Sequence, residues 1–269
     1  MRVEYRGRAA ARLVNFLFRD IPPSRSAAPH VKLTLLPGAK PDRFELQRND
    51  ETLSADCTPG AAVDLLISEA IFHLADRATG GMVMHAAAVA APAGAVLLPG
   101  KSGAGKSTLS AWLLAQDCAY LTDELVYIPA GTRKLHALTR PVHIKLPALP
   151  VVQEFLPALK RHESRLVTSP QATLIPHRLF NRRHVANRAR LGRIVFPEFH
   201  AGADFELTRL SPAQAGMALM ACLINARNLA GHGFPEASRV ARLVPAWRLR
   251  YGAVEQLDQF LLSLKQKEH

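Results

Sequence analysis

The sequence predicts an α/β protein: a core of buried strands and helices over residues 80–269, preceded by a small strand-rich α+β module over residues 1–79. Three observations lead there. Gly100-Lys101-Ser102-Gly103-Ala104-Gly105-Lys106-Ser107 matches the phosphate-loop pattern G-x-x-x-x-G-K-[ST] at every specified position. The loop follows a short apolar run, Ala95 to Leu98, and precedes Thr108 to Gln116, where Leu109, Trp112 and Leu113 recur at helical spacing. Around it, residues 82–98 and 120–128 are almost continuously apolar, as strands buried on both faces are.

The elements follow in order. Leu13, Phe16 and Leu17 mark a weakly amphipathic segment that ends at Pro22-Pro23. Val31, Leu33 and Leu35 alternate with polar neighbours, which predicts a half-buried strand. Residues 44–47 and 52–55 flank Asn49-Asp50, a turn pair that predicts a hairpin. Val63, Leu66, Ile67, Ala70, Ile71 and Leu74 predict a helix stopped by Gly80-Gly81. The core should open with strands at 83–89 and 95–98, then the loop helix, then strands at 120–128 and 138–146. Residues 150–192 read as irregular, rich in proline and in arginine (Arg161, Arg165, Arg178, Arg182, Arg183, Arg188, Arg190). A strand returns at Ile194-Val195-Phe196. Ser211-Pro212-Ala213-Gln214 has the N-cap, first-turn proline and capping-box glutamine of a helix start, and that helix should run toward Asn228. Trp247 to Tyr251 predicts a strand, and Val254, Leu257, Leu261 and Leu264 a last helix.

A formal net charge of +12 favours anionic partners, such as nucleotide, acidic peptide, nucleic acid or membrane surface. Cys57, Cys118 and Cys222 lie far apart with no C-x-x-C pair, which argues against a disulfide framework or zinc site and for a cytoplasmic location. Met82 to Leu98 contains His85, Pro92 and Gly94, so it reads as two buried strands rather than a membrane span.

In a phosphate loop the backbone N–H groups of residues 100–108 would cradle phosphate at a helix N-terminus. Lys106 would reach the terminal phosphates, and the Ser107 hydroxyl would ligate Mg²⁺. Asp123-Glu124 interrupts an apolar strand soon after the loop. Adjacent strand residues face opposite ways, so both carboxylates reach one site only if the chain bends there. No N-K-x-D motif is present to read guanine, and no metal-binding histidine spacing appears. His85 stands out by its place on the strand expected beside the loop.

Met84-His85-Ala86-Ala87-Ala88-Val89, the loop through Thr108-Leu109, and Tyr120-Leu121-Thr122-Asp123-Glu124 together resemble the HPr serine kinase/phosphorylase family. Arg140-Pro141-Val142-His143-Ile144-Lys145 and Ile194-Val195-Phe196-Pro197 further resemble its HprK-related kinase A members, whose wider group includes lasso-peptide precursor kinases. The resemblance covers about residues 80–269. It implies the P-loop core shared with phosphoenolpyruvate carboxykinases, and ATP- and Mg²⁺-dependent phosphorylation of a serine hydroxyl on a protein or precursor peptide. It also implies a PqqD-like peptide chaperone as partner and a homo-oligomer. Residue by residue, it implies that Lys106 and Ser107 hold phosphates and Mg²⁺, that Asp123 takes the acceptor's proton, that Glu124 helps hold the metal, and that His85 tunes Asp123. Arg140 and Lys145 are further candidates for contacting the transferred phosphoryl group. The second acid is glutamate where the family has aspartate. The E-x-R-G-[LI]-G signature is absent, which argues against the phosphorylase reaction and against HPr as acceptor. The basic segment would suit an acidic peptide. The competing expectation is a nucleotide-binding accessory protein that acts by binding a peptide or a PqqD-like partner. A nucleic-acid-associated ATPase lacks any recognisable binding module, and a small-molecule acceptor is the remaining alternative.

Overall fold

A computed structural model of the chain describes residues 1–23, 28–183 and 188–265. The N-terminal part comprises β1 (Arg2–Tyr5), α1 (Arg8–Phe18), β2 (Lys32–Pro37), β3 (Phe44–Arg48), β4 (Glu51–Cys57) and α2 (Pro59–Asp76). Its sheet has the order β1-β2-β3-β4, with β1 parallel to β2 and the other pairs antiparallel. The expected hairpin is β3–β4. Asn49 and Asp50 take positive φ (48° and 71°), the backbone that a two-residue turn between right-twisted strands requires. Helix α2 starts as its sequence dictates, with the Thr58 hydroxyl accepting from Ala61 N–H and Pro59 in the first turn. Leu13 and Leu17 of α1, Leu33 and Leu35 of β2, and Val63, Leu66 and Ile67 of α2 bury one cluster. Strand β1 was not anticipated, because its burial is partial and no apolar alternation marks it. Helix α2 ends at Asp76, ahead of the glycine pair. Gly81 instead begins the next strand, where a Cβ would lie 2.3 Å from the Ile128 carbonyl oxygen.

The rest of the chain runs β5 (Gly81–Ala91), β6 (Gly94–Pro99), α3 (Lys106–Ala115), β7 (Ala119–Thr122), β8 (Leu125–Pro129), β9 (Lys134–Ala137), β10 (Val142–Lys145), α4 (Leu149–Phe155), β11 (Val167–Thr168), β12 (Ala172–Ile175), β13 (Arg188–Phe199), β14 (Glu206–Leu210), α5 (Pro212–Met220), α6 (Phe234–Leu243), β15 (Ala246–Tyr251) and α7 (Leu257–Lys265). The main sheet is ordered β14-β15-β13-β6-β5-β8-β9, with β7 also beside β5. Strands β6, β13 and β15 are parallel neighbours, while β5 is antiparallel to β6, β7 and β8. Apolar side chains of α3, α4 and α7 cover one face, and those of α5 and α6 the other. A small sheet, β10-β12-β11, lies on the α3 side, and Leu174 of β12 also enters the N-terminal cluster. The α/β class is therefore borne out. Among the described residues no helix is long and apolar enough to cross a membrane.

Several elements differ from expectation for identifiable reasons. The apolar run 120–128 is two strands, broken at Asp123-Glu124. The strand expected at 138–146 is also divided: β9 ends at Ala137, residues 138–141 belong to no strand, and β10 follows. Segment 150–192 holds α4, β11 and the fully buried β12, and β13 already begins at Arg188; residues 184–187 of the segment lie outside the described residues. Helix α5 has the predicted capping box but stops at Met220, short of Asn228. It stops because the chain beyond it is drawn onto β5. His85 N–H donates to Cys222 O (3.0 Å), Ile224 N–H donates to Val83 O (2.9 Å), and the buried Asn225 amide accepts from Val83 N–H (2.8 Å). The same amide donates to Ala78 O (2.8 Å) and Gly81 O (2.9 Å). Strand β14 and helix α6 had not been anticipated.

Asn225 therefore serves three backbone groups that the sheet itself leaves unpaired. Replacing Asn225 by Ala should cost about 3 kcal/mol, at roughly 1 kcal/mol for each buried bond lost. Urea unfolding of the two proteins reads this directly; a loss below about 1 kcal/mol would mean that water replaces the amide.

Candidate functional site

Strand β5 changes both its neighbours at one point. Residues 86–91 pair with β6 on one side, and residues 88–90 with β7 on the other. Residues 81–85 pair with β8, and on the opposite side with the segment around Cys222–Asn225. The phosphate loop leaves the sheet at this switch, since Pro99, the last residue of β6, is registered with Ala86. On the other flank, the Asp123-Glu124 bend joins β7 to β8, and Ala86 N–H donates to Glu124 O (3.1 Å). His85 lies between them. Both flanking ladders change partner here, and strand switch points are where α/β proteins commonly bind ligands.

The loop is held open by glycine. Gly103 (φ 87°) and Gly105 (φ 91°) adopt left-handed backbone, and a Cβ on Gly105 would meet the Tyr251 hydroxyl at 2.5 Å. Helix α3 begins immediately afterwards without a side-chain cap, so its first N–H groups remain available to an anion. Lys106 is buried and folds back, donating from Nζ to Gly100 O (2.6 Å) and Lys101 O (2.9 Å). Burial lowers its pKa, against the attraction of Glu124. Lys145, at the end of β10, donates to Ser102 Oγ (2.7 Å). The two ammonium groups thus bear on the loop from different elements. Ser107 and Thr108 stand in the first turn of α3, and the Ser107 hydroxyl has no partner among the described residues.

The bend gives the two acids different surroundings. The Asp123 side chain is fully enclosed (0 % exposed). Its Oδ1 accepts from the Tyr120 hydroxyl (3.0 Å) and lies 3.4 Å from Arg140 Nη2, and its Oδ2 accepts from His143 N–H (2.6 Å). Burial, followed by the charge of Asp123, pushes the Tyr120 hydroxyl well above its ordinary pKa, so it stays protonated and donates. Glu124 is 21 % exposed. Its Oε2 accepts from Arg140 Nη2 (2.6 Å), and its Oε1 lies 2.9 Å from His85 Nδ1. Burial alone would raise the Glu124 pKa. The His85 hydrogen bond and the Arg140 charge outweigh it and hold the carboxyl at about 2. His85 is 37 % exposed, and with Nδ1 committed to Glu124 its Nε2 is left for a ligand.

These placements revise three residue roles. Asp123, expected to take a proton from the acceptor, has both oxygens occupied and no surface; as folded it offers no oxygen to a hydroxyl. His85 touches Glu124 rather than Asp123. Arg140, a candidate for phosphate contact, is buried (2 % exposed) as the shared counterion of the two acids, whereas Lys145 does reach the loop. Sequence reasoning missed Tyr120, the His143 backbone, Phe199 and Tyr251. Tyr120 is only three residues from Asp123 but its role depends on the bend, whereas the others act on partners 20 or more residues away, and no spacing signal marks any of them. Among the described residues no group of three His, Cys, Asp or Glu side chains could hold a metal by itself. A nucleotide-borne Mg²⁺ asks for less: one or two oxygen ligands, which Ser107 and ionised Glu124 can supply. A separate cleft of about 460 Å³, lined by Arg77, Val83, Tyr127, His136 and Leu138 among others, shares no residue with the loop. Compared with protein families and with curated proteins, the chain matches none.

Two outcomes follow from the acid cluster. The Glu124 carboxyl sits below its ordinary value of 4.5, so its stabilisation is complete above that pH and is lost as pH falls toward 2. The difference is worth about 3 kcal/mol. Urea unfolding of Glu124→Gln should therefore lose less stability over that window than the unsubstituted protein; parallel curves would contradict the assignment. Asp123→Asn should lower stability at neutral pH by about 3 kcal/mol or more, because half the countercharge of a buried guanidinium is removed. Thermal and urea midpoints measure it.

Proposed function

We propose that this chain is a kinase that transfers the γ-phosphoryl group of ATP to a hydroxyl, serine for preference, of a protein or precursor peptide. The observation that carries the reading is that the loop holding Lys106, touched by Lys145, leaves the sheet at the same strand switch that carries an ionised Glu124 and a half-exposed His85. The quoted resemblance to HPr kinase-related proteins supports the same activity. So does the chemistry, since phosphoryl transfer needs positioning and charge neutralisation more than covalent help.

In this reading the N–H groups of residues 103–108 and the N-terminus of α3 bind the phosphates. Lys106 exchanges its contacts with Gly100 O and Lys101 O for phosphate oxygens, an exchange between acceptors rather than a desolvation. Lys145 approaches from the Ser102 side. Ser107 and Glu124 would hold Mg²⁺, which when bound neutralises charge on the phosphates. The acceptor oxygen forms a bond to the γ-phosphorus as the bond from phosphorus to the β,γ-bridging oxygen breaks, and ADP departs. The acceptor's proton passes to His85 Nε2, with Glu124 orienting the ring through Nδ1 as a carboxylate orients an imidazole base. Asp123 fixes Arg140 and the bend, and so positions Glu124.

The acceptor side is basic. In segment 150–192, Arg178 is paired with Asp20 (2.5 Å) and Arg183 lies 3.7 Å from Asp117, while Lys160, Arg161, Arg165, Arg182, Arg188 and Arg190 are exposed, and exposed basic groups would suit an acidic peptide.

The test uses γ-labelled ATP, Mg²⁺ and acidic serine-containing peptides or a desalted extract. Label should enter a peptide or protein band. Lys106→Ala should abolish ATP binding, and His85→Ala should slow transfer about 100-fold or more with ATP binding within a few-fold of the unsubstituted protein. Label released only as free phosphate would replace the kinase with a nucleotide-binding accessory protein.

A further inference from the structure

On the side of the loop away from the acids, an aromatic residue is left exposed and yet held firmly. Strands β6, β13 and β15 are parallel, so their C-terminal ends reach the same edge of the sheet. The loop is the continuation of β6. The last residues of β13 and β15 are Phe199 and Tyr251, and they are registered partners. Both grip the loop: Phe199 N–H donates to Ala104 O (3.3 Å), and the Tyr251 hydroxyl to Gly105 O (3.4 Å). A Cβ on Gly105 would stand 3.1 Å from Phe199 Cβ, so the backbone of the loop runs directly against this pair. The two rings lie 5.4 Å apart with planes tilted by 60°. Tyr251 is buried, at 1 % exposure, and forms a fixed wall, whereas Phe199 is 41 % exposed. A lone exposed phenylalanine is common on protein surfaces. One whose backbone is pinned to a phosphate loop and whose ring is braced by a buried tyrosine is a prepared flat surface.

The order of strands decides what that surface faces. From the loop on β6, the acids and His85 lie toward β5 and β8, and Phe199 and Tyr251 lie toward β13 and β15. A nucleoside triphosphate seated on the loop must turn its terminal phosphate to the acids, so its nucleoside end points the opposite way. We infer that Phe199 is the stacking platform for the nucleobase of the bound nucleotide. The inference rests on the nucleotide-binding reading above and adds to it the part of the ligand that no sequence motif assigns, since N-K-x-D is absent. Stacking requires only a π-face, which every base has, so affinity for the base arises without base-edge hydrogen bonds.

Binding to the full chain is measured calorimetrically for two probes, ATP and inorganic tripolyphosphate, with Mg²⁺ present. The unsubstituted protein should bind ATP more tightly than tripolyphosphate. Phe199→Leu, which keeps an apolar side chain and removes the flat face, should weaken ATP about 10-fold or more and leave tripolyphosphate within two-fold. Phe199→Trp should restore ATP affinity, which a general disturbance of the loop would not allow. Equal affinities of the unsubstituted protein for the two probes, an unchanged ATP affinity in Phe199→Leu, or parallel weakening of both probes would each overturn the platform while leaving phosphate binding intact. Failure of the unsubstituted protein to bind either probe would instead overturn the nucleotide reading on which the platform rests.

Discussion

The buried guanidinium of Arg140 is the constraint on which the site's geometry depends. A cation with 2 % exposure needs its countercharge in place, and Asp123 and Glu124 provide it from adjacent positions in the chain. In a regular strand those two side chains would point to opposite faces. The break between β7 and β8 is what lets both meet one cation, and it leaves Glu124 partly open beside His85 while sealing Asp123 inside. Removing a carboxylate leaves charge buried without compensation, so the cluster resists small changes that would spoil the position of Glu124.

The bend also completes a larger division in the sheet. Strand β5 is fully paired along its length, but by different partners above and below His85. The upper partners are β6 and β7; the lower ones are β8 and the chain around Cys222–Asn225. Asn225 makes the lower arrangement affordable by satisfying Val83, Ala78 and Gly81 at once. The loop, the acids and His85 come together because each occupies a gap where one ladder ends and another begins.

The N-terminal part touches this region through the small sheet. Leu174 of β12 enters the N-terminal core, and β12 pairs with β10, which carries His143 and Lys145. Tyr120, the donor to Asp123, stacks on His177 at 5.2 Å, and His177 Nδ1 lies 3.8 Å from Asp20 just beyond α1. The residues that seal Asp123 are thus backed by both parts of the chain. That gives the first module a structural connection to the site without any candidate catalytic residue of its own.

The sequence by itself determined the α/β class, the phosphate loop between a buried strand and a helix, the Asn49-Asp50 hairpin and the capped start of α5. Each of these is written in local chemistry: glycine at positive φ, apolar periodicity, and a side chain that closes a helix end. Only the tertiary structure decided the rest. That Asp123 is sealed and Glu124 open depends on Arg140 and the His143 backbone arriving from beyond the bend, and on a fold there that turns the nearby Tyr120 hydroxyl onto Asp123. That α5 stops at Met220 depends on β5 having a vacant edge for the following residues. That Phe199 and Tyr251 border the loop depends on β13 and β15 lying parallel beside β6. Local sequence specifies conformations within a few residues, whereas the burial, pairing and charge environment of a side chain are set by whatever distant segments pack against it.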